Sequence, residues 1–235
     1  MNGKFSCGPK DFDEVAIDYD ELLNRGLSVS GENSNYFARG RLLWLAKCLR
    51  TLHASPHAIL DFGCGIGSGV PLLFDVLGAE RVVGIDTSMK CLMSAKKSHA
   101  SARAHFCLAD EYLPAGQMDL VFCNGVFHHI PPIERFAAID YIYRSLGRGG
   151  LFSLWENNPW NPGTKYIMRR IPFDRNASPL TFYEAQRMVR AVGFHVVRVD
   201  FLFVFPRILS FLRWMEPLIS RLPLGAQYQV LCFKP

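Results

Sequence analysis

The chain has 235 residues, 49% of them hydrophobic and 20% charged, and its formal net charge is +5. This composition excludes a disordered or fibrous chain, and the length suffices for one domain with a sizeable core. The basic excess lies at the end, because residues 159–235 carry 11 Lys and Arg against 4 Asp and Glu. Such a bias fits an anionic substrate, a membrane surface or a solvated face, and no arginine run indicates a nucleic-acid partner.

The cysteines and the apolar runs of the sequence indicate in which cellular compartment the protein is expected. The seven cysteines are scattered and form no C-x-x-C pair, so we expect reduced thiols and predict no disulfide and no metal site. Residues 1–10 contain no apolar signal-peptide region, and no apolar run reaches the roughly 18 residues that span a bilayer. We therefore expect a cytoplasmic protein.

The first 52 residues predict a helical cap or lid. Residues 26–35 are polar and rich in Gly and Ser, and residues 36–52 return to apolar positions at helical spacing. The predicted core-facing stripe consists of Leu42, Leu45, Ala46 and Leu49. Within a single domain over 1–235, we expect this cap to precede a cofactor-binding core over 53–155 and a substrate-side portion over 156–235.

A glycine-rich turn follows the first predicted strand. Residues 59–62 form a short apolar run that contains Asp61, and glycines stand at positions 63, 65, 67 and 69 before a predicted helix over 68–77. Glycines permit positive φ and a close approach of the backbone to a ligand, and the N–H groups of a helix start attract an anionic group. The dinucleotide fingerprint G-x-G-x-x-G would require a glycine where Ser68 stands. The turn therefore predicts a nucleotide-like cofactor and disfavours a nicotinamide one.

The pattern Asp-x-Gly-x-Gly-x-Gly resembles the first motif of the class I S-adenosylmethionine (SAM) dependent methyltransferases, of the small-molecule type that is methyltransferase domain 11-like. An acid at Asp61 would repel a pyrophosphate but would attract the methionyl ammonium of SAM. The resemblance covers roughly residues 57–155. It implies SAM as cofactor and S-adenosylhomocysteine (SAH) as product.

Four further runs predict strands that alternate with helices. They are residues 81–86, 104–108, 118–124 and 151–155. This alternation predicts an α/β fold with a Rossmann-like doubly wound, mostly parallel sheet; the resemblance implies seven strands, helices on both faces and an antiparallel C-terminal strand. Ligands of such sheets bind beyond the carboxyl ends of the strands, where polar residues follow the predicted strands. These residues are Asp86, Asp110, Asn124 and Glu156.

The resemblance implies a cofactor role for residues at these strand ends. Asp86 would hold the ribose hydroxyls, Thr87 would pack against the adenine, and Asp110 or Glu111 would accept from the adenine amino group. Asn124 would face the sulfonium. The complete predicted cofactor set is Asp61, Gly63, Gly65, Gly67, Asp86, Thr87, Asp110, Glu111 and Asn124.

Paired histidines follow the fourth strand. His128 and His129 resemble the His-His of the fourth methyltransferase motif, and an imidazole has a suitable pKa for a general base. Glu156 is the second candidate for that role. The alternative is that the paired histidines only shape the pocket.

The predicted acceptor site combines aromatic, amide and basic side chains. Its members are Tyr19, Tyr36, Trp155, Asn157, Trp160, Arg169 and Arg170. Residues 12–20 resemble the leading helix that closes over the SAM site in many such enzymes, which makes Tyr19 and Tyr36 lid candidates; the alternative is that both only pack. An aromatic wall with Arg169 and Arg170 would suit an apolar molecule that carries a phosphate or carboxylate.

The last third predicts a helix, two strands and an amphipathic segment. A capping box at residues 181–184 begins a helix that ends near 192, and residues 195–205 and 227–233 predict a final antiparallel pair. Residues 206–222 predict an amphipathic basic helix with Trp214 at its boundary, which Pro217 interrupts or kinks. Such a helix suits a peripheral membrane contact or a lipid-substrate groove, and the alternative is a helix that packs on the domain.

The sequence therefore predicts a SAM-dependent methyltransferase that acts on a small molecule, with apolar, lipid-linked or isoprenoid acceptors favoured. A SAM-binding regulatory or scaffold protein without turnover is the main alternative. A nicotinamide-dependent oxidoreductase is a weaker one.

Overall fold

The computed structural model describes residues 19–174 and 177–235, with the backbone alone for Tyr19, Asp20 and Phe173. The helices are α1 (Tyr19–Leu27), α2 (Ser34–Thr51), α3 (Val70–Leu77), α4 (Met89–His99), α5 (Arg135–Ser145), α6 (Pro162–Arg170), α7 (Phe182–Val192) and α8 (Glu216–Ile219). The strands are β1 (Ala58–Phe62), β2 (Arg81–Asp86), β3 (Ala104–Leu108), β4 (Met118–Asn124), β5 (Leu146–Asn157), β6 (His195–Leu202) and β7 (Gln227–Phe233). Short 3-10 helices span Ser28–Ser30, Pro172–Asp174 and Arg207–Met215.

The seven strands form one sheet in the order β3-β2-β1-β4-β5-β7-β6. The first five strands pair in parallel, and β7 lies between β5 and β6 and is antiparallel to both. The strand order reverses direction between β1 and β4, and a crevice opens at such a switch point beyond the carboxyl ends of the strands. The predicted Rossmann-like sheet is confirmed.

The core lies on both faces of the sheet. Alternate strand residues face opposite sides, so Leu60 packs with α5 and α7 while Ile59 packs with α2, α3 and α4. The predicted stripe of α2 is buried at each of its positions, which are Leu42, Leu45, Ala46 and Leu49. Packing on both faces explains why the central strands are almost continuously apolar.

The capping box predicted for α7 is present. The Thr181 hydroxyl accepts a hydrogen bond from the Glu184 backbone N–H at 3.3 Å, and the Glu184 carboxylate accepts one from the Thr181 N–H at 2.9 Å. Gly193, with φ of +111°, ends the helix in the left-handed conformation that glycine favours. The local sequence therefore fixes both ends of α7.

The prediction of an amphipathic helix over residues 206–222 is wrong. The structure has 3-10 turns over Arg207–Met215, with non-helical dihedral angles at Leu209, followed by the four-residue helix α8. Pro217 lies in the first turn of α8, where its missing N–H removes no helical hydrogen bond. The break therefore falls just before this proline. No helix in the described ranges is long and apolar enough to cross a membrane.

Several predicted boundaries shift by a few residues. β5 is longer than predicted, α3 begins at Val70 rather than Ser68, and β6 ends at Leu202 rather than 205. Phe203, directly after β6, has a positive φ of 63°, so the chain turns there and leaves the sheet.

Candidate active site

The turn after β1 holds the glycines of the first motif. Gly63, Gly65 and Gly67 have φ of +76°, +54° and +77°, in the region that favours glycine. A Cβ on Gly63 would lie 2.3 Å from the Val126 side chain, whereas a Cβ on Gly65 would meet no atom within 4 Å. Gly65 therefore exposes its backbone to open space, as a ligand-binding turn requires. Gly67 instead faces the α4 side of the core.

Asp86 at the end of β2 connects this turn to the start of α4. Its Oδ2 accepts a hydrogen bond from the Gly65 N–H at 2.8 Å, and its Oδ1 accepts one from the Ser88 N–H at 2.9 Å. Asp86 thus positions the glycine turn relative to the start of α4, at the strand end where the sequence predicts a ribose-binding acid.

A small cavity lies between the glycine turn and the end of β4. Its lining includes Asp86, Thr87, Ala109 and Asn124, each located at the carboxyl end of a strand. The switch point of the sheet therefore carries a crevice, as the fold predicts.

The two acids predicted to read an adenine lie outside the lining of this cavity. Asp110 and Glu111 are exposed, and the Glu111 carboxylate accepts a hydrogen bond from the Leu108 N–H at 3.2 Å. Ala109, the residue before them, forms the cavity wall at this strand end. The structure therefore brings the backbone of this turn, and not the side chain of Glu111, closest to the cavity.

Asp61 is a buried acid behind the glycine turn. Burial, followed by the charge of Asp86, raises the pKa of its carboxyl to about 7. Within the described ranges, no hydrogen bond or ion pair to this carboxylate is present. A buried carboxylate with these properties favours a cationic ligand group, because the cation would offset the cost of its ionisation.

His128 lies between two carboxylates in the protein interior. Its Nδ1 is 2.6 Å from Glu156 Oε2, and its Nε2 is 3.4 Å from Asp174 Oδ1. Burial alone would lower the pKa of His128, but the charge of Glu156 and the hydrogen bonds with both carboxylates raise it to about 10. His128 is therefore an imidazolium at neutral pH, with both ring N–H groups donated to acids.

Glu156 at the end of β5 holds this arrangement in place. Its second oxygen, Oε1, accepts a hydrogen bond from the Phe127 N–H at 2.7 Å, and its side chain is buried. The carboxylate therefore fixes the backbone of the loop after β4 and the ring of His128. It lies behind His128 and outside the lining of the acceptor-sized cavity described below.

His129 has different surroundings from its neighbour. Its Nε2 lies 3.3 Å from Asp174 Oδ1, and its ring is 4.1 Å from that of His128 between centroids. Burial and the neighbouring positive charge of His128 outweigh the bond to Asp174 and lower the pKa of His129 below its usual 6.5. His129 is therefore neutral at pH 7 and able to accept a proton.

Asp174 is a site residue that the sequence analysis missed. Burial alone would raise its pKa, but the hydrogen bonds with His128 and His129 lower it to about 2. The residue comes from the short 3-10 helix after α6, far from any recognised motif. Asp174 lies beside the histidines only in the folded chain, because it follows α6 and is distant from them in sequence.

A large cavity of about 590 Å³ opens in front of the two histidines. His128, His129 and Asp174 form one part of its wall, and Tyr36 and Asn157 form another. The apolar part of the wall includes Leu23, Leu27, Phe37, Ile167, Phe203 and Pro206. This volume and mixed lining are typical of a site for a small organic molecule.

The other residues predicted for the acceptor site do not gather at the large cavity in the described part of the chain. Trp155 lies in the core with no exposed surface, and Trp160 packs edge-to-face on Phe182. Arg169 and Arg170 are exposed on α6 and lie outside the cavity lining. The structure therefore offers no support for Trp155, Trp160 or these arginines as cavity wall. The side chain of Tyr19 lies outside the described part of the chain.

The histidine cluster also has the donor atoms of a metal site. One atom each from His128, His129 and Asp174 can be chosen so that all three lie within 4.8 Å of one another. Two imidazoles and a carboxylate suit several divalent ions. In this structure the Asp174 carboxylate lies 3.4 Å from His128 Nε2 and 3.3 Å from His129 Nε2 and is shared by both rings.

The sheet order, the glycine turn and the acids at the strand ends define the class I SAM-dependent methyltransferases. Residues 59–150 match the Methyltransferase domain family, which supports this class for that part of the chain. The chain is 29% identical over 116 residues to a trans-aconitate 2-methyltransferase of Azoarcus sp. (strain BH72). That match covers 48% of this chain and 44% of the relative, so the chain spans about half the length of the curated relatives it matches.

Solved structures resemble a larger part of the chain. A SAM-dependent methyltransferase from Thermotoga maritima has a TM-score of 0.65 at 20% identity and covers 95% of this chain and 98% of its own. The [4+2]-cyclase SpnF also shares the fold, with a TM-score of 0.56 at 15% identity over 82% of this chain and 80% of its own. The fold alone therefore identifies the architecture and not the reaction.

The residues at the small cavity fit the cofactor of this class. Gly65 leaves room above the turn, Asp86 offers a carboxylate at the end of β2, and Asp61, buried behind the turn and outside the cavity lining, suits an ammonium group. These three features are the ones that a nucleoside joined to a cationic amino acid requires.

Proposed function

We propose that this protein transfers the methyl group of SAM to a small apolar acceptor bound in the large cavity. The observation that carries this proposal is the junction of the two cavities. Asn124, Gly125 and His129 line both of them. A cofactor in the small cavity and an acceptor in the large one would therefore meet beside the imidazole of His129.

We propose that Asp61, Asp86 and the glycine turn bind the cofactor. Asp86 would accept hydrogen bonds from the ribose hydroxyls, and Asp61 would pair with the ammonium of the methionine portion. Thr87 and Ala109 would enclose the adenine from two strand ends. When bound, the cofactor supplies a methyl group on a sulfonium, which is already activated for displacement by its positive charge.

His129 is the general base in this proposal. In the tautomer that donates from Nε2 to Asp174, its Nδ1 carries the lone pair that takes the acceptor's proton. Its lowered pKa keeps the ring neutral at pH 7, whereas His128 already carries its proton. Asp174 and His128 are then positioning residues, because they set the orientation and the pKa of His129 without touching the acceptor proton.

The acceptor is proposed to be apolar or isoprenoid-like on account of the cavity wall. Leu27, Phe37 and Phe203 contribute apolar side chains to this wall, with Tyr36 packed edge-to-face on Phe37 and Phe203. Burying such a wall against an apolar molecule contributes about 25 cal/mol per Å² of apolar surface. Asn157 and the histidines supply the polar groups that would orient the reacting end.

A regulatory protein that binds SAM without turnover is the second candidate function. The fold resembles that of a protein named as a cyclase, so the fold by itself does not establish methyl transfer. We therefore retain this second candidate. It shares the cofactor site with the main proposal but gives the histidine cluster no chemical task. A nicotinamide oxidoreductase receives no support from the methyltransferase family match.

Calorimetric titration with SAH and, separately, with NAD tests the cofactor assignment. We expect micromolar binding of SAH, no binding of NAD, and an Asp86→Asn variant that binds SAH about 5- to 150-fold more weakly, as lost hydrogen bonds worth roughly 1–3 kcal/mol require. Asp75→Asn is the matched control, because this exposed acid on α3 lies outside both cavity linings and outside the predicted cofactor set. Absence of SAH binding by the unmodified protein would overturn the proposal.

A chelator test separates the base from a metal site at the same residues. If His129 acts as a base, methyl transfer continues after treatment with EDTA and removal of the chelate. Loss of transfer, with recovery on addition of Mn²⁺, would instead identify His128, His129 and Asp174 as metal ligands and would contradict the assigned base.

A further inference from the structure

Residues 207–224 form an exposed apolar surface beside the large cavity. Ile208, Phe211, Trp214, Leu218, Leu222 and Leu224 all expose half or more of their side chains to solvent, from 51% for Leu222 and Leu224 to 84% for Ile208. Scattered single apolar residues are normal on a protein surface, but an apolar set within one short segment is not. We refer to this region as the 207–224 surface.

The charges of the 207–224 surface have one predominant sign. Arg207 and Arg221 are exposed, and Arg221 lies 3.6 Å from Asp200, a buried acid that also pairs with Arg198. Arg213 is partly buried and pairs with Glu32 at 2.9 Å. The single acid of the segment, Glu216, accepts hydrogen bonds from two backbone N–H groups of the 203–206 loop at 3.0 and 3.1 Å. Its charge is therefore directed into the protein, and the outward charges that remain are positive.

The same surface continues into the wall of the large cavity. Pro206 and Arg213 line the cavity, and both adjoin the exposed apolar side chains along the chain. On the opposite side of the opening, Val29 lines the cavity and is 49% exposed. The Arg207 guanidinium reaches the Gly31 carbonyl at 3.4 Å and connects the two sides. The 207–224 surface therefore adjoins the wall of the large cavity.

We propose that the 207–224 surface binds an anionic phospholipid bilayer, from which the acceptor enters the cavity. Apolar side chains, including a Trp, together with outward arginines match the two layers of a membrane interface, acyl chains below and anionic headgroups above. Entry of the acceptor rests on the proposed function, whereas bilayer binding does not. A partner protein would usually require a patch with shape complementarity rather than a set of protruding side chains.

Vesicle flotation tests bilayer binding directly. The unmodified protein is expected to float with mixed phosphatidylcholine and phosphatidylglycerol vesicles, more weakly with phosphatidylcholine alone, and less at high salt. The variant Ile208→Glu/Leu218→Glu should lose tenfold or more in the partition coefficient, because about 0.8 kcal/mol per buried CH₂ disappears and two like charges are added.

A matched double variant controls for the substitutions themselves. Ile133 and Leu113 are 89% and 71% exposed but lie outside the 207–224 surface, so Ile133→Glu/Leu113→Glu should float as the unmodified protein does. Both double variants should bind SAH unchanged. If the unmodified protein binds SAH but does not float with the vesicles, the membrane proposal alone is wrong. If it floats but does not bind SAH, the proposed function alone is wrong.

Quenching of Trp fluorescence by brominated lipids locates the contact. Emission should be quenched on binding, and Trp214→Phe should remove most of the quenching because Trp214 is the exposed indole of this surface. Equal quenching in Trp214→Phe would contradict the assigned surface. If the protein instead self-associates without lipid, and Ile208→Glu/Leu218→Glu abolishes that association, the surface binds a second copy and the membrane proposal is wrong.

Discussion

Two buried acids at the same edge of the sheet have opposite electrostatic situations. Asp61, on the cofactor side, has its pKa raised to about 7 by burial and by the charge of Asp86. Asp174, on the acceptor side, has its pKa lowered to about 2, because hydrogen bonds with two imidazoles outweigh its burial. The cationic partner of Asp174 is therefore a side chain of the protein, His128. Asp61 would gain a cationic partner only when a cationic ligand binds.

This difference implies opposite contributions to stability. An ionised Asp61 destabilises the ligand-free fold, and an ionised Asp174 stabilises it. The cofactor side would thus be completed by its ligand, while the acceptor side is already ordered in its absence. Variants of the two acids should change the free energy of unfolding in opposite directions.

Asp174→Ala is expected to produce the largest loss of stability. It leaves the buried His128 cation with one carboxylate fewer, and removal of one partner from a buried ion pair costs about 3–5 kcal/mol. Urea unfolding at pH 6 measures the change, with Asp110→Ala as an exposed control that should stay within about 0.5 kcal/mol. A loss below about 1 kcal/mol would show that the cluster is not ionised as described.

The pH dependence of this loss has a defined window. The stability due to the lowered pKa of Asp174 is present above its ordinary value of 3.8 and disappears as the pH falls towards 2. The stability due to the raised pKa of His128 is complete below 6.5 and disappears as the pH rises through about 10. The difference between the unmodified protein and Asp174→Ala should therefore be largest between about pH 4 and 6.5.

Asp61→Asn should change stability in the other direction. The native carboxyl stays protonated up to about pH 7 while the unfolded one ionises near 3.8, so stability decreases over that interval and the penalty is complete above it. The amide removes the penalty, which predicts a gain of about 1–3 kcal/mol at pH 8 and almost none at pH 4 in urea unfolding.

Asp61→Asn should also weaken the binding of SAH, although it stabilises the fold. SAH binding by the unmodified protein should strengthen from pH 6 to 8 as Asp61 ionises, and Asp61→Asn should bind more weakly with a flatter pH dependence. A destabilised variant, or one that binds SAH as the unmodified protein does, would contradict the assigned role of Asp61.

The cofactor side was the more predictable of the two from sequence. Each of its polar groups lies at or next to the carboxyl end of a strand, so a local pattern such as Asp61 with Gly63 and Gly65 places them together once the sheet is assumed parallel. Asp110 and Glu111 are exposed after β3, and their predicted contact with the adenine stays a prediction. Motif spacing identifies which loop reaches the cavity and not which side chain does.

The acceptor side depended on contacts that no local pattern encodes. Asp174 meets the histidines only because α6 and the 3-10 helix after it fold back over them. Trp155 fits an aromatic wall by composition, yet strand alternation at the end of β5 turns it into the core. The amphipathic pattern at 206–222 persisted as an apolar surface although no regular helix formed.

Arg169→Ala/Arg170→Ala is expected to have the smallest effect. Both arginines are exposed and lie outside the cavity lining, so unfolding should change by no more than about 0.5 kcal/mol. The KM for an isoprenoid monophosphate should change less than about twofold, that is, by less than about 0.4 kcal/mol. A large rise in KM would place these arginines at the acceptor after all, as their sequence position had suggested.

Methyl transfer from radiolabelled SAM, with and without His129→Asn, tests the central claim most directly. Isoprenoid alcohols, their monophosphates and a bacterial total lipid extract serve as acceptors, and label in the organic phase reports the product. We expect labelled product with the unmodified protein and a rate about 10²- to 10⁴-fold lower with His129→Asn, at unchanged SAH affinity. We also expect a rate that falls only below pH 6.5, since the pKa of His129 lies under that value. SAH binding without any transfer of label, or full activity of His129→Asn, would contradict the central claim.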